Sequence, residues 1–160
     1  MENLSMLRIS RLTDYGTMIL VHLAGPSVGL CSASDVAAGT HLALPTVQKL
    51  LKKLAKAGLI SSVRGADGGY RLTRAPAEIT AAEILNVLEG PVAITDCSAE
   101  MRQCELEPIC QVGSAWQKIN RAIRNAMEDI CLSDLRRPPR EFVLQDLWQS
   151  SVTNPYNRSL

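Results

Sequence analysis

Aromatic residues are scarce in this chain: one Phe, two Trp and three Tyr among 160 residues, or 4%. With so few large rings, the core has to come from Leu, Ile, Val and Ala, which favours packed helices. Histidine is almost missing as well. His22 and His41 are the only two, and both lie far upstream of the main cysteine group. No apolar run approaches the length of a membrane span, so no membrane partner is expected. No signal peptide opens the chain, so a cytoplasmic protein is expected. No nucleophile–base pair and no nucleotide-binding loop is visible, which leaves an enzyme without support.

What is present is ordinary for a globular protein: 46% hydrophobic and 21% charged residues. A chain of 160 residues can bury one core, with room for an extension. The formal net charge of +1 hides an asymmetry. Residues 1–75 carry nine Lys and Arg against four Asp and Glu, whereas residues 76–160 carry eight against twelve. A basic first half points to a polyanion partner.

Five cysteines are an odd number, and in a reducing compartment they point to ligand or redox chemistry rather than a disulfide framework. Cys97, Cys104 and Cys110 fall in the stretch DCSAEMRQCELEPICQVG with C-x6-C-x5-C spacing. Six of the eleven residues between them, Ser98, Glu100, Arg102, Gln103, Glu105 and Glu107, are polar or charged, and the stretch shows almost no apolar periodicity, as in a loop. Three soft ligands on one loop suit an iron–sulfur cluster or zinc. On spacing alone they also read as three unrelated free thiols.

Upstream, Leu12, Tyr15, Ile19 and Leu23 define one helix face that stops near Gly25–Pro26. Asp14 sits in the first turn of that helix, well placed against the dipole. Ser32 caps a short helix from Ala33 to about Ala38, with Asp35 completing a weak capping box. After the Gly39–His41 turn, Pro45 is expected at the first position of a new helix that ends at Gly58. Val47, Leu50, Leu51 and Leu54 form its buried side. Thr46, Gln48, Lys49, Lys52, Lys53 and Lys56 lie elsewhere on it. Four lysines without an acid read either as a solvated face or, after a small-residue helix and short turn, as the second helix of a helix-turn-helix. Residues 59–63 and 70–72 read as strands joined by a glycine-rich turn, a wing with Arg64 at its rim. A helix is expected over Ala81–Leu88. Beyond the cysteine loop, Ile109, Val112, Trp116, Ile119, Ile123, Ala126 and Ile130 step by three and four, a heptad-type seam. Such a seam meets either a copy of itself or another helix of its own chain, and the dimer is preferred. Phe142, Val143, Leu144, Leu147 and Trp148 predict one last short helix.

The run LALPTVQKLLKKLAKAGLISSVRGADGGYRLTRAP, followed by the three-cysteine loop and a long helix, resembles the bacterial IscR-type winged-helix regulators. These include the iron–sulfur assembly regulator IscR and the nitric-oxide sensor NsrR. The opening LRISRLTDYGTMILVHLA and the loop entry LEGPVAITDCS are most similar to the branch that regulates SUF-system iron–sulfur cluster assembly. The resemblance covers roughly residues 6–135. It implies a dimeric transcription factor whose cluster, 2Fe–2S or 4Fe–4S, tunes binding to double-stranded promoter DNA. It implies Cys97, Cys104 and Cys110 as cluster ligands, Arg64 as a minor-groove arginine, and Pro45, Thr46, Gln48 and Lys49 as the start of the recognition helix. One position departs from the pattern. Some members carry a histidine ligand three residues after the third cysteine, where this chain has Gly113. Others use an aspartate near the start of the partner subunit, which corresponds to Asp14.

The expected fold is therefore mainly α. It comprises a winged helix-turn-helix DNA-binding domain at 6–90 with a two-stranded wing, a cluster-binding loop at 91–113, a dimerisation helix at 108–135 and a C-terminal extension at 136–160. The expected function is repression of iron–sulfur cluster assembly genes as a homodimer. DNA contacts are expected from Pro45, Thr46, Gln48, Lys49, Lys52, Lys53 and Arg64, and metal ligation from Cys97, Cys104, Cys110 and Asp14. Two alternatives stay open: a nitric-oxide or oxidant-sensing repressor using the same loop, and a zinc-stabilised interaction protein.

Overall fold

Ser10 turns an extended backbone into helix α1 (Arg11–Leu23) by accepting the Thr13 amide proton with its side chain. The computed structural model describes residues 9–25, 29–65, 67–91, 93–95 and 110–136. Thr13, Gly16, Ile19, Leu20 and Leu23 form the buried side of α1. Helix α2 (Ala33–Thr40) opens on a full capping box. The Asp35 N–H donates to Ser32 Oγ, and the Ser32 N–H donates to Asp35 Oδ2, both at 3.1 Å. His41 closes α2 in the left-handed conformation.

Helix α3 (Leu44–Lys56) follows, and Pro45 is its second residue rather than its first. Ala43 precedes it without a side-chain cap, so the proline was the visible marker and the true start lies one residue earlier. Val47, Leu50, Leu51 and Leu54 are buried as their spacing requires. Burying each such side chain is worth about 1.5–3 kcal/mol, which fixes the rotation of α3 about its axis.

Strands β1 (Ile60–Val63) and β2 (Gly69–Leu72) pair antiparallel, in register from Ile60 opposite Leu72 to Val63 opposite Gly69. Cys31 forms an isolated bridge to the outer edge of β2. Its N–H donates to Tyr70 O at 3.1 Å, and the Tyr70 N–H donates to Cys31 O at 2.8 Å. The close approach needs a glycine at position 69, where a Cβ would meet Cys31 O at 2.6 Å. Gly69→Ala is therefore expected to force the two backbones apart and to destabilise the fold by about 1–3 kcal/mol. A urea unfolding curve with a lowered midpoint would show this. An unchanged midpoint would mean that the bridge gives way at no cost.

A single 3-10 turn, η1 (Pro76–Glu78), leads to Thr80, which caps α4 (Ala81–Leu88). Helix α5 (Gly113–Glu128) and the short α6 (Leu132–Leu135) complete the described elements. α5 ends at Glu128, so Ile130 of the expected seam lies past its end. There the chain turns extended and pairs with the residues ahead of α4. The Ala81 N–H donates to Ile130 O and the Leu132 N–H to Ile79 O, each at 2.8 Å. Leu132 is thereby drawn into the core formed by α1, α2, α3 and α4. The helix expected around residues 142–148 lies outside the described residues. Among the described residues, no helix is long and apolar enough to cross a membrane.

Candidate nucleic-acid interface and cysteine loop

Because α3 buries positions 47, 50, 51 and 54, its opposite face carries Pro45, Gln48, Lys49, Lys52 and Lys56, all exposed. Thr46 is half-buried at the edge of that face. Lys53 differs from the other three lysines. Its Nζ donates to Leu88 O at 2.8 Å, at the C-terminal end of α4. A cation suits that end of a helix, where carbonyls lack partners. Lys53 thus sits on the flank of α3 with a partner inside its own domain, and sequence alone gave no sign of that partner. Lys56, left out of the expected contacts, shares the outward stripe with Lys49 and Lys52 at helical spacing. Arg64 is exposed just after β1, at the rim of the wing. The basic stripe and the wing arginine therefore both face solvent, as phosphate contacts require.

Of the three loop cysteines, Cys110 is described, and Cys97 and Cys104 lie outside the described residues. Cys110 is half-buried three residues ahead of Gly113, where α5 begins. A Cβ at Gly113 would stand 3.6 Å from Cys110 Sγ, so any side chain there would grow beside the thiol. Glycine leaves that space open and supplies no donor. The donor chemistry fits a cluster with three soft thiolates and one ligand brought from elsewhere. Asp14 is exposed on the first turn of α1. The remaining cysteines are built into the backbone pairing: Cys31 bridges Tyr70 and Cys131 bridges Thr80. Burial and the nearby Asp35 carboxylate push the Cys31 thiol up, which keeps it protonated and a poor ligand. Among the described residues, no three His, Cys, Asp or Glu side chains converge to hold a metal.

The segment entering the cysteine loop is tied to three helices. Lys53 of α3 holds Leu88 O. Glu89 Oε1 accepts the Ser10 N–H at 2.8 Å and also the Thr13 hydroxyl, which fixes it to the start of α1. The Ile94 N–H donates to Asn120 Oδ1 of α5 at 3.2 Å, and Asn120 is only 5% exposed. Hydrogen bonds from Ser10 and Thr13 hold the Glu89 carboxyl below the usual carboxylate range. A depressed folded pKa means a stabilising contribution that is complete above the unfolded value, about 4.3 for Glu, and lost as pH falls through the lower folded value. Glu89→Gln is therefore expected to flatten the acid limb of the stability–pH profile. Superimposable acid limbs for variant and parent would contradict that role.

α5 carries two distinct faces. Gly113 and Asn120 are buried, and Gln117, Ile123, Arg124 and Met127 are half-buried. The apolar seam next to them is left uncovered, with Val112 58%, Trp116 42% and Ile119 45% exposed. The helix thus turns Asn120, Gln117 and Arg124 toward its own chain together with the seam residue Ile123, and turns Trp116 and Ile119 outward. The sequence left open which side the seam faces, because periodicity cannot distinguish the two.

The Rrf2 family, described as "Iron-dependent Transcriptional regulator", matches residues 9–138. The structure of CymR (YrzC), the global cysteine regulator of B. subtilis, is 32% identical, with 82% of this chain and 97% of that chain covered and a TM-score of 0.64. T. potens IscR is 29% identical, with 94% and 95% covered and a TM-score of 0.61. Staphylococcus aureus CymR is 32% identical, with 81% and 98% covered and a TM-score of 0.59.

Proposed function

This chain belongs to the Rrf2 family of iron-dependent transcriptional regulators, and from that premise we propose that it represses iron–sulfur cluster assembly genes as a cluster-bearing homodimer. It is a DNA-binding regulator of the winged-helix type and not an enzyme. The observation that carries the DNA-docking part is the outward stripe of Lys49, Lys52 and Lys56 beside a wing with exposed Arg64. In this reading α3 enters the major groove, while Arg64 reaches phosphate or a narrow minor groove. Lys53, also on this helix, ties α3 to the end of α4 through Leu88 O. The exposed seam of α5 joins two copies, which places two α3 helices at paired half-sites.

Cys97, Cys104 and Cys110 would hold the cluster, with Asp14 of the partner subunit as the fourth ligand. When bound, the cluster supplies a redox-sensitive centre. The chain's own residues transmit its presence. Leu88, Glu89 and Ile94, ahead of the loop, are bonded to α3, α1 and α5, so a change in loop position reaches the recognition helix through them.

Fluorescence anisotropy on a duplex selected from a random library tests the docking. Lys49→Ala and Arg64→Ala are each expected to weaken binding and to reduce the slope of log K against log salt by about one. Unchanged affinity and slope in both variants would remove the docking model.

A further inference from the structure

α1, α2 and α4 are each entered through a Ser or Thr whose side chain caps the helix, but α3 is entered through Ala43 with no side-chain cap. A hydroxyl there would stabilise the helix start, and the chain does without it. The residues that follow are also apolar and uncovered. Leu44 is 38% exposed and Pro45 is exposed, and neither belongs to the core. Helical spacing puts Leu44 four residues, and Pro45 three, before Gln48, so all three lie toward one side of the first turns. The lysines further along the outward face give that side the charge to meet DNA.

We propose that the exposed Leu44–Pro45 step at the start of α3 reads a thymine methyl group in each half-site. This rests on the reading of α3 as the recognition helix. The residues at the beginning of such a helix meet base edges, whereas the later ones meet backbone. In the major groove the bases present chiefly polar donors and acceptors, and the one methyl among them is the C5 methyl of thymine. An apolar side chain there would leave donors and acceptors of other bases dehydrated and unpaired, and against thymine it covers a methyl. Pro45 has no N–H, so it cannot offer a backbone donor to a phosphate or a base at that point.

The test replaces each thymine of the selected duplex, one at a time, with deoxyuridine, which removes the methyl and nothing else. Full-length protein is expected to lose about fourfold in affinity at one thymine per half-site, the worth of one buried methyl. Leu44→Ala is expected to keep its circular dichroism spectrum, bind more weakly, and become indifferent to deoxyuridine at that thymine. Affinities within twofold for every deoxyuridine duplex, with Lys49 still required, would overturn the methyl readout and leave the docking intact. Sensitivity that persists unchanged in both Leu44→Ala and Pro45→Ala would overturn it as well. Loss of the Lys49 requirement would instead bring down the docking on which it stands.

Discussion

Ile119→Glu is expected to turn the dimer into a folded monomer. In the single chain Ile119 is 45% exposed, so a glutamate there costs the fold little, within about 0.5 kcal/mol. At the centre of a helix pair the same charge is buried without a partner. Such a charge costs several kcal/mol, on the order of 3–5, and each subunit contributes one. Dimer dissociation should rise by a hundredfold or more, since 1.4 kcal/mol is a factor of ten. Sedimentation equilibrium reads the mass, and circular dichroism confirms that the helices remain. DNA affinity should fall with the dimer, because one half-site then binds alone. A variant that stays a folded dimer at low concentration would show that the two copies meet through another surface.

Cys110→Ala is expected to abolish cluster binding outright. Gly113 supplies no donor beside the lost thiol, and Cys31 and Cys131 are held in backbone bridges. The purified variant should be colourless and essentially free of iron. Its DNA affinity should equal that of parent protein stripped of iron. Asp14→Ala should behave differently. Three thiolates remain, so a cluster should still assemble, with an altered visible spectrum and faster loss in air. If Asp14 only complements the helix dipole, its removal costs about 0.3–1 kcal/mol and leaves the spectrum unchanged. That result would sink the assignment of Asp14 as a ligand, while a coloured, iron-loaded Cys110→Ala protein would sink the assignment of the loop.

Local chemistry made most of the DNA-binding half legible. Ser32 marks a helix start, and positions 47, 50, 51 and 54 mark one buried side. The wing followed from two short strands around a glycine-rich turn. What escaped the sequence reading was mostly long-range. Residues 130–132 leave the heptad pattern because they pair with 79–81, a contact about fifty residues away that periodicity does not encode. Lys53 reads like its neighbours until Leu88 O appears beside it. The η1 turn is too short for any period, and the start of α3 was misplaced by one residue because Ala43 gives no capping signal. At the cysteine loop the spacing carried the expectation. The structure adds the position of Cys110 at the head of α5 and the open space at Gly113.

A cluster on the cysteine loop is expected to change DNA affinity. Protein purified without oxygen can be titrated onto the selected duplex, then stripped of iron with a chelator and titrated again at the same salt. Affinities that differ by about fivefold or more are expected, within the usual range of coupling between two sites. By reciprocity, the duplex should change the cluster's own affinity by the same factor. Equal affinities before and after stripping, from protein that was brown at the start, would contradict the claim.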